Sequence, residues 1–261
     1  MDKRMLSPLA LIAALLLTLS ACGSSGGETE GGGKLITKDT LTVCSDVPYA
    51  PFEEFDKSAD SGFKGFDIDI VEHIADELDL KLKVKDSSFD ALQSGLALNS
   101  GDCDLVASAM TITPERAKKL IFSEPYYASK QSLLVPKGSP IKSINDLKGK
   151  KVGVQKGTTG KDYATEHATG AEIIDFPSDG EMWQAIQGNT VDALLQDLPV
   201  NLTHTKDGKF VIVETFDTGE NYGLAMQKDN KALAKEVNAI LSKFRSSGDY
   251  QETYDKYFAT N

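Results

Sequence analysis

The chain has 261 residues, 26% of them charged and 40% apolar, with a formal net charge of −11. That length holds one large domain or two small lobes with their own cores, in an ordinary globular balance of residues. The acidity excludes nucleic acid as a partner, because phosphate binding needs a basic surface.

Lys3 and Arg4 precede an apolar run over 5–19 that is broken only by Ser7, Pro8 and Thr18. Leu19-Ser20-Ala21-Cys22 follows. A basic start, an apolar core and small residues before a cut are the layout of a secretory signal, here 1–21. The last four residues resemble a lipobox, in which the cysteine is acylated and becomes the new N-terminus. Cys22 is therefore expected to anchor the chain to the outer face of the cell membrane, at the cell surface or in a periplasm. Gly23 to Gly33 (GSSGGETEGGG) buries no apolar surface, so 22–37 is expected to be a flexible tether. Nothing after the leader approaches the ~20 apolar residues a membrane-spanning helix needs.

The body then reads as alternating strands and helices. A β-rich run occupies 40–45. Apolar residues at 66, 70, 71, 74, 75 and 78 have a helical period. A strand is expected over 80–84, a short helix over 89–98 and a buried strand over 104–109. Pro114 marks a helix start. A second series follows: strand 151–154, a helix from the GTTG turn to about 167, strand 171–176, helix 181–187, strand 192–196 and another helix. Residues 222–227 read as extended, and 230–245 and 249–258 as two closing helices. The pattern implies two α/β lobes with mostly parallel sheets covered on both faces. Ligands in such sheets bind outside the carboxyl ends of the strands. That rule singles out Asp46, the 108–113 segment, the 155–159 turn, Asp197 and the loop before Phe89.

Little in the chain suggests catalysis. His73, His167 and His204 each stand alone, no HExxH or Cys/His cluster exists, and no metal or cofactor is expected. Gly153 to Lys161 fails as a P-loop, because Asp162 follows the lysine. Cys44 and Cys103 are a pair that an oxidising compartment can join. On the expected strands Cys44 lies near a strand end and Cys103 near a strand start, an offset that works against a bond. Both states stay open.

Six segments, PYAPFEEF (48–55), GFDIDI (65–70), CDLVASAMTITPER (103–116), FSEPYY (122–127), DLKGKKVGVQKGTT (146–159) and VDALLQD (191–197), together resemble the polar amino acid family of periplasmic binding proteins. The resemblance covers about 40–258. It implies the two-lobed type II fold of that family, with the ligand trapped between lobes joined by two hinge crossings. The first lobe is expected over 38–130 and 226–261, the second over 133–222, with hinges near 130–133 and 222–226. It also implies a non-enzymatic, monomeric solute-binding protein that hands a free amino acid to the permease of an ABC transporter.

By the same resemblance, Arg116 grips the ligand α-carboxylate, a role that suits a guanidinium fork. Ser108, Ala109, Met110 and Thr111 form the adjoining binding segment, and Thr158 and Thr159 grip the carboxylate from the second lobe. Asp197 pairs with the α-ammonium. Tyr49 and Phe89 sandwich the side chain, with Asp46, Gln155 and Gln196 at its far end. No lysine or second arginine is placed to neutralise an acidic side chain, and strand alternation turns Lys156 away. Glutamate and aspartate are disfavoured. Flat rings and an acid suit a cationic side chain such as that of arginine or lysine, and glutamine stays open because an amide also donates to Asp46. The alternatives are a dehydratase-type enzyme on the same fold and a stand-alone amino acid sensing subunit.

Overall fold

The structure, a computed structural model, describes residues 26–259. The expected leader and the acylated cysteine lie outside the described residues. Two five-stranded sheets dominate it. The first runs in the order Lys81–Asp86, Thr40–Ser45, Leu105–Val106, Ala225–Gln227, Leu120–Phe122. Its first three strands are parallel, and Ala225–Gln227 is antiparallel to both neighbours. The second runs Glu172–Phe176, Lys151–Gln155, Ala193–Asp197, Tyr127–Pro136, Phe210–Tyr222. Again the first three are parallel and the last two antiparallel. Each sheet is thus mixed, because the chain must leave each parallel core and return through it.

The helical period seen in the sequence forms the helix Phe66–Glu77, which buries Phe66, Ile70, Val71 and Ile74. Lys231–Ser247 adds Leu233, Val237, Leu241 and Phe244 to the same core. The expected helix over 89–98 is two short ones, Phe89–Gln93 and Leu96–Asn99, because Gly95 between them is left-handed at φ 81°. The strands Tyr127–Pro136 and Phe210–Tyr222 escaped the sequence reading. Neither alternates cleanly: the first is half polar (YASKQS) and half apolar (LLVP).

The chain passes between the sheets twice, after Phe122 and after Tyr222. Tyr127 pairs with Tyr222, so the two passages lie side by side. The first comes before 127, ahead of the expected 130–133.

One expectation is corrected and one open alternative is decided. Part of the expected tether is folded: Gly27–Glu28 pairs antiparallel with Lys34–Leu35 and docks on the helix Lys231–Ser247. The docking is polar, which apolar content could not reveal. Glu236 accepts Thr29 Oγ1–H at 2.5 Å and Gly31 N–H at 2.9 Å. Asn230 and Lys34 exchange two further bonds at 3.1 and 2.9 Å. Secondly, Cys44 and Cys103 are joined by a disulfide with Cα atoms 5.8 Å apart. Cys44 pairs in register with Val106, and Cys103 lies just before that strand. The turn into the strand therefore brings Cys103 across to Cys44, and both sit in the buried cluster with Phe89, Leu92 and Met110. Among the described residues no helix is long and apolar enough to cross a membrane.

Candidate functional site

Strand ends place the site. Asp46 follows Thr40–Ser45, while Gln155 and Asp197 end Lys151–Gln155 and Ala193–Asp197. With Tyr49, Phe89, Ser108, Ala109, Thr111, Arg116, Thr158 and Thr159 they line one narrow cavity between the sheets. Eleven of the thirteen sequence-picked residues meet there. Met110 and Gln196 do not. Met110 is wholly buried in the cluster around the disulfide. Gln196 turns behind the cavity, where its Nε2–H groups donate to Asp179 at 2.8 Å and Asn201 at 3.0 Å.

Arg116 stands on the short helix Pro114–Lys119, which Thr113 caps. Its guanidinium is buried, donates to the carbonyls of Thr111 (2.7 Å) and Gly157 (3.0 Å), and lies 5.1 Å over the Phe89 ring. Two of its five N–H donors are thereby used. Among the described residues no carboxylate forms an ion pair with it. Burial pulls its basicity down, and the charges of Asp197 and Glu220 oppose that.

Asp197 faces it from the other sheet. The hydroxyls of Tyr49 and Tyr222 donate to its Oδ2 at 2.9 and 2.5 Å, and Gln131 Nε2–H donates to Oδ1. Burial, then the charge of Glu220, pushes its pKa up to about 7 against the pull of those donors. Burial likewise raises Asp46 to about 7, opposed first by a hydrogen bond from Gln155 Nε2–H. The cavity therefore holds a buried cation and two buried acids, each ready for a partner of opposite charge.

Thr158 Oγ1 caps the helix Thr159–His167, accepting Lys161 N–H at 3.1 Å and donating to Gln155 carbonyl oxygen at 2.8 Å. Its hydroxyl is thus committed within the protein. So is that of Ser108, which donates to Glu53 at 2.8 Å and accepts Asp46 N–H at 3.0 Å. Ala109 is held at φ 43°, a strained value for a residue with a Cβ. Its N–H donates to Asp67 at 2.8 Å, which holds that backbone in place. Lys156 pairs with Asp90 at 2.9 Å on the rim, turned from the cavity as alternation predicts.

Sequence reasoning missed Glu53, Asp67, Gln131, Glu220 and Tyr222. Glu53 and Asp67 lie fully buried behind the 108–109 segment, and burial raises both acids. Gln131 and Glu220 sit on the two unrecognised long strands. One signal was available: an uncompensated polar residue inside a run that must be buried, as Gln131 is next to Ser132-Leu133-Leu134-Val135.

Residues 41–260 match the family model for bacterial extracellular solute-binding proteins, family 3. The chain belongs to that family. Among curated relatives, an ABC transporter glutamine-binding protein of Bacillus subtilis (strain 168) is 38% identical, over 95% of each chain. A probable histidine-binding protein of Neisseria gonorrhoeae is 35% identical, over 96% of this chain and 94% of the relative. An ancestral arginine-binding protein, solved bound to arginine, is 37% identical with a TM-score of 0.79, over 85% of this chain and 99% of that one. The same description solved with glutamine gives 37% and 0.79, over 86% and 100%. An ancestral amino acid-binding protein described as a precursor of cyclohexadienyl dehydratase is 37% identical with a TM-score of 0.76, over 84% and 95%. The two-lobed type II fold expected from the sequence agrees with the likeness to these amino acid-binding structures.

Proposed function

We propose that this protein captures a free polar amino acid, cationic or glutamine, between its two sheets and delivers it to the permease of an ABC importer. One observation carries the reading: a buried arginine and a buried aspartate, brought by different sheets, face a single cavity. An amino acid zwitterion satisfies both at once, its carboxylate on the Arg116 fork and its ammonium on Asp197. Tyr49 and Phe89 then flank the side chain, and Asp46 with Gln155 receives its far end. Relatives named for histidine, glutamine and arginine agree with this class.

The lobes expected over 38–130 with 226–261 and over 133–222 would close on each other about the adjoining strands Tyr127–Pro136 and Phe210–Tyr222, which meet where the chain passes between the sheets. Bonds that join the two sides, Arg116 to Gly157 and Tyr49 to Asp197, belong to the closed form. Ligand contacts from both sides favour that form over the open one. The leader over 1–21 and acylation at Cys22 place the protein, as a monomer, on the outer face of the membrane. It is a binding protein and not an enzyme, a reading supported by relatives that are named for the amino acid they bind.

The test is a melting-shift panel. The purified protein is unfolded and refolded to shed carried-over ligand, then heated with each of the twenty amino acids. A binder at 100 times its Kd adds about 2.7 kcal/mol. A large shift with arginine, lysine, histidine or glutamine, lost in Arg116→Ala and Asp197→Ala, is expected. A folded protein that answers to no amino acid sinks the reading. Turnover of a prephenate-like acid by the same sample would put the dehydratase in its place.

A further inference from the structure

Glu220 stands behind Thr111 and Thr159, which line the cavity, and is hydrogen-bonded to both. It lies on Phe210–Tyr222, where the pairing slips between Phe216 and Glu220. Over that slip the partner strand moves from Gln131 to Ser129 while this strand moves from Phe216 to Glu220. The surplus residues include Gly219 at φ 66°, a left-handed turn that suits a residue without a Cβ. A bulge of this kind re-aims the next side chain, and the Glu220 carboxylate ends up buried between the two sheets.

Its Oε2 accepts Thr111 Oγ1–H at 2.9 Å and Thr159 Oγ1–H at 3.0 Å. Thr159 is one of the hydroxyls expected to grip a ligand carboxylate, and Thr111 belongs to the binding segment that faces it across the cleft. Gln131 Nε2 reaches both Glu220 oxygens at 3.2 and 3.1 Å, and Thr218 Oγ1–H donates to Oε1 at 3.0 Å. A hydroxyl has one proton. While Thr111 and Thr159 donate to Glu220, neither donates to another carboxylate. An α-carboxylate must take both protons over, and it then lies beside a like charge. An amine without a carboxylate meets neither obstacle.

We propose that Glu220 is a built-in surrogate for the ligand α-carboxylate, so that the cleft also binds the amines left when basic amino acids lose their carboxylate. With such an amine, Glu220 keeps Thr111 and Thr159. One ammonium pairs with Asp197 and the distal cation with Asp46. The charges favour a dication: Asp46 and Asp197 on the cavity wall, with Glu220 behind it, stand against Arg116 alone. This inference rests on the amino acid reading of the cleft.

The experiment is calorimetric titration of the refolded protein with arginine and agmatine, and with lysine and cadaverine, in the wild type, Glu220→Gln and Glu220→Asp. In the wild type the amine binds within about 100-fold of its parent amino acid. Glu220→Gln removes the like charge and tightens the amino acid. It also removes an attraction and loosens the amine. The amine-to-amino-acid ratio of Kd therefore rises by at least about tenfold, as when a buried charged hydrogen bond is lost. Glu220→Asp keeps the charge and restores amine binding relative to Glu220→Gln, which a merely structural role would not do. It also reports on the charge alone if the glutamine variant does not fold. No detectable amine binding in the wild type, or equal changes for both ligands in Glu220→Gln, overturns the role of Glu220 and leaves amino acid binding standing. A wild type that binds neither class overturns both readings.

Discussion

Ser108 spends its hydroxyl on the protein. It donates to Glu53 and accepts from the backbone of Asp46, tying a buried carboxyl to the loop that carries a cavity acid. Ser108→Ala leaves Glu53 without that donor in a fully buried place. Urea unfolding should show a loss of about 1–3 kcal/mol. Ligand affinity should change less than about tenfold; a stable variant with abolished binding would return the hydroxyl to the ligand. Gly65 has a harder constraint. It sits at φ 136°, and a Cβ there would lie 2.0 Å from the Phe52 carbonyl oxygen. Gly65→Ala should cost more than about 2 kcal/mol, read from the same unfolding curves. At this scale the sequence showed the residues that face the ligand, because they cluster in short motifs at strand ends. It hid those behind them. Glu53 and Asp67 look like surface acids until burial is known, and Glu220 faces the cleft only through a strand bulge.

The helices were legible and the long strands were not. Amphipathic period exposes Phe66–Glu77 and Lys231–Ser247, since each buries one stripe. Tyr127–Pro136 and Phe210–Tyr222 change environment along their length, from the passage between the sheets to a sheet interior, so no single period fits them. The amino-terminal hairpin failed for another reason. Its glycines permit contact instead of flexibility: a Cβ on Gly31 or Gly33 would stand 2.4 or 2.8 Å from Glu236. Glu236→Ala removes the acceptor of Thr29 and Gly31. Hydrogen exchange should then accelerate at the amides of Gly31 and Gly33 and stay unchanged in the sheets. The loss of global stability should be about 1–2 kcal/mol at most. Unchanged exchange would mean the hairpin is held by its own strand pairing.

Across the molecule, buried acids set the response to pH. Asp46, Asp67 and Asp197 have pKa values of about 7, each raised chiefly by burial, against about 3.9 in an unfolded chain. Raised acids stabilise the folded state fully below about pH 4, and that contribution is lost as pH rises through about 7. The ligand-free protein should therefore melt at a lower temperature at pH 8 than at pH 5. Binding should run the other way. A bound ammonium favours ionised Asp197, so affinity should rise over the same interval by up to about tenfold per pH unit for each acid. Calorimetry at the two pH values checks both signs, and parallel trends would contradict the pairing. At the rim, Lys156 and Asp90 are each about half exposed, with side-chain exposures of 57% and 45%. Their bridge across the cleft is screened by water and contributes little to closure. Lys156→Ala should weaken ligand binding less than about fivefold and flatten its salt dependence.

Under the proposed anchoring at Cys22, the docked hairpin would also limit how far the protein reaches. A chain spans at most about 3.6 Å per residue. With Cys22 as anchor, a free tether out to residue 37 would let the body range some 50 Å from the bilayer by that measure. Folding from Gly27 onward leaves about 18 Å. On the proposed anchoring at Cys22 the body would stand close over the lipid, and its search for an importer would become a walk in a plane.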